Sequence, residues 1–239
     1  MARTHQEWTV LPHGPLTRID SRVLTVTGDI RMPIGAFPRR MTVVRLRDGG
    51  LVIFSAIALD ESEMRELESY GTPAFMIVPN AHHCMDAKIW KDRYPQMRVV
   101  APEGARAGVE KAVHVDDVRG DFPDPDVVFM TVPGTHGHEA ALEIMDADGM
   151  TLVLNDLVGN IREASGFRGW LLRIMGFAGD RPKIPMPVKA AIVDDQAALR
   201  AQLLRWADQP NLRRVLVSHG TIIDRHPAGV LRELAETLH

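Results

Sequence analysis

Residues 76–90, MIVPNAHHCMDAKIW, decide how the rest of the chain is read. An apolar run, Phe75 to Val78, stops at Pro79. Two adjacent histidines follow, His82 and His83, then the only cysteine, Cys84, and Asp86. Three readings compete: the rim of a metal site, a cysteine nucleophile with its base, or a polar turn. A lone cysteine is most often a small buried apolar residue. A nucleophile role for Cys84 with His83 as base needs the two side chains to meet, and neighbours usually diverge; a histidine from another loop could serve instead. Taken alone, the stretch leaves the question open.

The totals narrow the field. At 239 residues, with 45% hydrophobic and 25% charged residues, the sequence reads as an ordinary globular chain, and we treat it as one domain, 1–239. A net charge of −3 gives no electrostatic case for nucleic acid or an anionic membrane. One cysteine excludes an internal disulfide and any paired-cysteine zinc motif. The start, MARTHQEWTVLPHG, lacks the apolar centre of a signal peptide, and no run reaches the ~18 apolar residues of a membrane span. The cytoplasm is the expected compartment.

Periodicity supplies the elements. RVLTVTGDI (22–30) reads as a strand, and MTVVRL and LVIFSAI around Arg47-Asp48-Gly49-Gly50 read as a hairpin, because Asp-Gly supplies a positive φ. A first helix is expected to begin at Asp60, with Glu63 completing a capping box and Gly71 ending it. AFMIV, MRVVAP and DVVFMTV are further strands, and ALEIMDADGMTLVLND is a second hairpin about Asp148-Gly149. A helix starts near Asp194 with Leu199, Leu203 and Trp206 on one face. The strand RRVLVSHG follows, then a helix from Pro227 with Leu231, Leu234, Ala235 and Leu238 inward. This order lacks the strict alternation of a doubly wound sheet; two antiparallel-rich sheets with helices outside fit it better.

Four polar clusters each follow a strand: VPNAHHCMD (78–86), VPGTHGHE (132–139), LNDLVGN (154–160) and VSHG (217–220). Strand ends that gather at one sheet edge bring distant residues together. The cargo, His, His, Asp and His, is of metal-ligand type, and imidazole with carboxylate suits Zn²⁺ or Fe²⁺. Two histidines and one carboxylate leave coordination positions open, which is the catalytic pattern.

In this order the motifs resemble those of the metallo-β-lactamase superfamily: His-x-His-x-Asp-His, Pro-Gly-His-Thr, Gly-Asp, and a late Gly-His-Gly. PNAHHCMD, PGTHGH, LNDL and SHG occupy the four places, and the resemblance spans roughly residues 22–238. It looks closest to an uncharacterised bacterial branch with a degenerate first motif. The resemblance implies an α+β fold, the four-layer αββα sandwich. It sets Asn80, His82, Cys84 and Met85 at the ligand positions of the first motif. It implies one Zn²⁺ or Fe²⁺ held by His82, either His136 or His138 (His138 preferred), and Asp156, with His219 as a further ligand or base. His83 and Cys84 complete the candidates. Asp156 and His219 are the expected catalytic residues. The implied activity is hydrolysis of an ester, thioester, lactone or phosphoester by a metal-bound water, on a small-molecule substrate. A mononuclear iron oxygenase and a non-catalytic binding protein of the same fold are the alternatives. His5, His13, His114, His226 and His239 carry no signal and read as surface residues. The apolar segment 166–185 reads as a helix of Trp170, Leu171, Ile174, Met175 and Phe177 among Arg168, Arg173 and Arg181. It serves as packing, a lid, a homodimer contact or a membrane-surface helix.

Overall fold

The first sheet begins as a meander. Strands β1 (Thr17–Arg18), β2 (Val23–Met32), β3 (Gly35–Arg45) and β4 (Gly50–Phe54) pair antiparallel, and Gly49, at φ +90°, makes the expected β3–β4 turn. Helix α1 (Glu61–Tyr70) then carries the chain over the sheet, so the next strands return parallel: β5 (Thr72–Ile77) beside β4, and, after α2 (Ala87–Arg93), β6 (Arg98–Val100) beside β5. A short 3₁₀ turn and α3 (Arg106–Val109) lead to the second sheet. There β7 (Val127–Thr131), β8 (Ala140–Asp146) and β9 (Gly149–Asn160) form an antiparallel run. Helices α4 (Gly166–Met175), α5 (Met186–Ile192) and α6 (Gln196–Ala207) precede β10 (Leu212–Gly220), which pairs parallel to β9, and α7 (Pro227–Glu236) closes the chain. The computed structural model describes residues 4–32, 35–162 and 166–238.

The strand orders are β1-β2-β3-β4-β5-β6 and β10-β9-β8-β7. Alternation along the strands fills three apolar layers. Val23, Val44, Phe54 and Ile77 of the first sheet meet Phe129, Leu142, Val153 and Leu216 of the second. The outer face of the first sheet is covered by Met64 and Leu67 of α1 and Trp90 of α2. That of the second is covered by Leu203 and Trp206 of α6 and by Leu231 and Leu234 of α7. The result is the expected αββα sandwich.

Several local expectations change. Asp60 precedes α1 but its side chain accepts no helix N–H; instead its backbone N–H donates to His13 Nε2 at 3.3 Å. Gly71 ends α1 in extended backbone, φ 174°, so it is not there for a left-handed twist. It is there for space: a Cβ would sit 2.5 Å from the Gly49 carbonyl oxygen and 2.7 Å from Leu51 Cδ2. Gly71→Ala is therefore expected to cost about 1–3 kcal/mol, seen as a lower urea midpoint. The cap of α6 is Asp195, whose carboxylate accepts from Ala198 N–H at 2.9 Å. Helix α5 carried no sequence signal that we read. Among the described side chains of α4, Leu172 is the buried one, packed with Ile161 and Ala178, whereas Trp170 and Ile174 are 56% and 47% exposed. At about 100° per residue, Trp170 and Ile174 lie on the side of α4 opposite Leu172, so these apolar residues cannot all face inward. The Arg168 side chain and His239 lie outside the described residues.

Candidate metal centre

Three elements deliver the centre. Strand β5 ends at Ile77, and the chain turns at Asn80, whose side-chain Oδ1 accepts from His82 N–H at 2.8 Å. That Asx-type turn leaves the exposed His82 outside the cluster and brings the largely buried His83 ring in. In the second sheet, Val217 pairs with Leu154 but His219 pairs with Gly159. Strand β9 thus carries residues 155–158 where β10 carries only Ser218. Asp156 sits inside this irregular stretch rather than after the strand's end. Such irregularities re-aim side chains next to functional sites.

The three side chains converge. His219 Nε2 lies 2.7 Å from Asp156 Oδ1, and His83 Nε2 lies 3.1 Å from the same oxygen. Asp156 Oδ2 accepts from Asn80 Nδ2 at 2.6 Å, and the same amide nitrogen donates to Glu139 Oε1 at 2.5 Å. His219 Nδ1 faces the Pro38 carbonyl oxygen at 2.7 Å, and His83 Nδ1 faces Ser55 Oγ at 2.7 Å. A carbonyl oxygen can only accept, so His219 Nδ1 carries a hydrogen. Its Nε2 then presents a lone pair to a carboxylate oxygen, and only a proton or a metal cation between them makes that contact favourable. This is the outer arrangement that metal-ligating histidines have, the second nitrogen bound to a carbonyl or hydroxyl. The donor set, two imidazole nitrogens and one carboxylate oxygen within 4.8 Å of one another, fits Zn²⁺ or Fe²⁺.

The electrostatics agree. Burial alone pushes the Asp156 carboxyl up, but the His83 and His219 imidazoles outweigh it and hold it well below the usual range. Burial lowers His83, against the pull of Asp156, favouring the neutral ring a metal needs. Glu139 is the opposite case. Burial, and then the charge of Asp156, raise it well above the ordinary carboxylate value, although Asn80 and Asn155 donate to it. Two adjacent buried carboxyls are driven apart, and Asp156 keeps the charge.

The other expected ligands lie elsewhere. His136, at φ +50°, is 61% exposed and pairs with Asp194, its Nδ1 3.1 Å from Oδ2. His138 is exposed, held by a loop in which its N–H donates to Thr135 O at 2.7 Å. Cys84 is buried, its Sγ 3.4 Å from Ala81 O, and burial raises its thiol to about 11. Burial thus favours the neutral thiol, and Cys84 is not among the groups that converge with Asp156. Among the described residues the one other ligand-type cluster is His13, Asp60 and Glu63. There His13 Nδ1 faces Gly14 O and Nε2 accepts from Asp60 N–H, so the ring is spent on chain packing. His13 and His5 are not surface histidines as expected: the His13 side chain is buried, and His5 bonds buried Asp86 at 2.7 Å. Sequence reasoning missed Ser55, Asn80 as a bridge, and Glu139. Only Glu139 left a trace, as a charge abutting the apolar run AALEI.

No family model and no curated protein sequence matches the chain. Solved structures do. The metallo-β-lactamase FIM-1 from Pseudomonas aeruginosa, in its mono-zinc form, superposes with a TM-score of 0.63 at 13% identity over 95% of this chain and 96% of that one. A metallo-β-lactamase from Hirschia baltica gives 0.62 at 12% identity, covering 94% and 98%. One from Pontibacter korlensis gives 0.61 at 14%, covering 92% and 98%. Shared architecture over nearly the whole of each chain, at identities this low, makes this a chain with the metallo-β-lactamase fold.

Proposed function

We propose that the protein is a metal-dependent hydrolase working with a single Zn²⁺ or Fe²⁺ held by His83, Asp156 and His219. The observation that carries this reading is the convergence of two imidazole Nε2 atoms on one oxygen of Asp156, His219 backed at Nδ1 by a carbonyl and His83 by a hydroxyl. A single ion is supported by what stands nearby: Asn80 is an amide, Cys84 a buried thiol, and His82, His136 and His138 are exposed. A one-zinc state is also the state described for FIM-1, which has the same fold.

When bound, such an ion supplies Lewis acidity and acidifies a water to near neutrality. The chain's own groups do the rest. Asp156 offsets the ion's charge and is fixed by Asn80, which binds its other oxygen. Phe37 and Phe177 flank the His219 ring at centroid distances of 4.6 and 6.2 Å and make an apolar wall. That wall, with exposed Trp170 and Ile174 on α4, supports a small-molecule ester or thioester with an apolar portion. Two histidines and one carboxylate with open positions also form the ligand set of Fe²⁺ oxygenases, so the identity of the ion separates the two chemistries.

Protein purified without added metal is expected to hold about one equivalent of Zn or Fe by elemental analysis. His83→Ala is expected to lose it; His82→Ala and His138→Ala are expected to keep it. Turnover of p-nitrophenyl and thioester substrates should follow metal content. Folded protein without metal at neutral pH, even after incubation with Zn²⁺ or Fe²⁺, would leave a binding module.

A further inference from the structure

We propose that Ser55 is a positioning residue for His83, its hydroxyl able to donate to or accept from Nδ1 so that Nε2 can serve either Asp156 or a divalent cation. This rests on the metal-binding reading above.

Three non-glycine residues among those described have positive φ: Ser55, His136 and His226. His136 and His226 are exposed; Ser55 is 4% exposed and directly follows β4. The left-handed region favours glycine, so backbone demand alone does not account for a serine there. The surroundings enforce the conformation. Ser55 N–H donates to Ile77 O at 3.0 Å, Ile57 N–H lies 3.2 Å from Met41 Sδ, and Ala58 N–H donates to Asp86 Oδ2 at 3.2 Å. The outcome is a hydroxyl 2.7 Å from His83 Nδ1.

The two histidines are backed differently. Pro38 O can only accept, so His219 always presents a bare Nε2 unless it takes a second proton. A hydroxyl can do both. Without a cation, His83 Nε2–H donates to Asp156 and Ser55 O–H donates to Nδ1. With a cation, Nδ1–H donates to Ser55 Oγ and Nε2 is free to ligate. The ring's proton count is unchanged: one proton leaves Nε2 to solvent, one enters Nδ1 from solvent, and the hydroxyl rotates.

The test uses the full-length protein and the Ser55→Ala and Ser55→Gly variants. Zn²⁺ affinity is read by competition with a chromogenic chelator, and the metal-free thermal midpoint is read separately. Both variants are expected to bind Zn²⁺ about 10–100-fold more weakly. Ser55→Gly is expected to melt above Ser55→Ala, because glycine relieves the positive φ. Weaker metal binding in the more stable variant is a pattern that a purely structural serine does not give. Wild-type Zn²⁺ affinity in Ser55→Gly overturns the proposal while leaving the metal centre standing. A wild-type protein that binds no Zn²⁺ overturns both. Labelling of Ser55 by a fluorophosphonate in the metal-free protein overturns it in favour of a serine nucleophile.

Discussion

Asp156→Ala is expected to remove stoichiometric metal and with it any hydrolytic turnover. The loss in Zn²⁺ affinity should exceed the ~100-fold upper range of an outer-partner substitution, because Asp156 is the one charged ligand and the point on which both imidazoles converge. The variant should still fold, since it removes a buried charge, and both rings keep their Nδ1 partners, Ser55 and the Pro38 carbonyl. Calorimetry adds a second readout. A metal needs the Nε2 lone pairs of both imidazoles, so metal uptake by the wild type should displace protons from the cluster, detected as a buffer-dependent heat. Uptake should therefore weaken as pH falls. His83, lowered by burial, stays available below the ordinary histidine range of about 6.5. Equal metal content in Asp156→Ala and wild type would sink the proposed centre.

Arg40→Ala is expected to destabilise the fold by about 3–5 kcal/mol, or roughly 10 °C in thermal midpoint. Arg40 is buried between the sheets and has no carboxylate partner among the described residues. Its Nε donates to Val217 O at 3.1 Å, Nη1 to Thr25 Oγ1 at 3.1 Å and Nη2 to Gly220 O at 2.8 Å. Burial lowers the guanidinium to about 10, which still leaves it charged at neutral pH. Three hydrogen bonds from a charged donor, each about 1.5–3 kcal/mol, outweigh that burial cost, and alanine would strand two carbonyls in a cavity. Arg40→Lys should recover part of the loss, since one ammonium cannot reproduce the planar fork. Because the two carbonyls flank His219 on β10, metal affinity should fall alongside stability. Guanidinium unfolding curves for Arg40→Ala that overlay the wild type would refute the assignment.

The architecture was legible because it rests on local rules. Asp48-Gly49 and Asp148-Gly149 turn hairpins, and the alternation in β2 and the 3.6-residue stripe of α7 orient faces without long-range information. Of the candidate site residues, Asp156 and His219 stood out because each follows an apolar run, TLVL and VLV, in the expected order. The choice between His82 and His83 was not legible. It turns on which backbone N–H the Asn80 side chain captures, and a slip of one residue inverts which ring faces in. The place of Asp156 depends on four residues of β9 facing one of β10, a mismatch between strands about sixty residues apart in sequence. Ser55 is invisible, and Glu139 nearly so, for the same reason: each acts on a partner from a distant part of the chain.

The proposed ligands come from both sheets, His83 from the end of a strand of the first and Asp156 and His219 from the second. A bound cation is therefore also a staple across the sandwich. Occupancy at a hundredfold excess over Kd would add about 2.7 kcal/mol to the folded state. Severed halves of the chain, each holding only part of the coordination sphere, would have to reassemble before either could retain the ion.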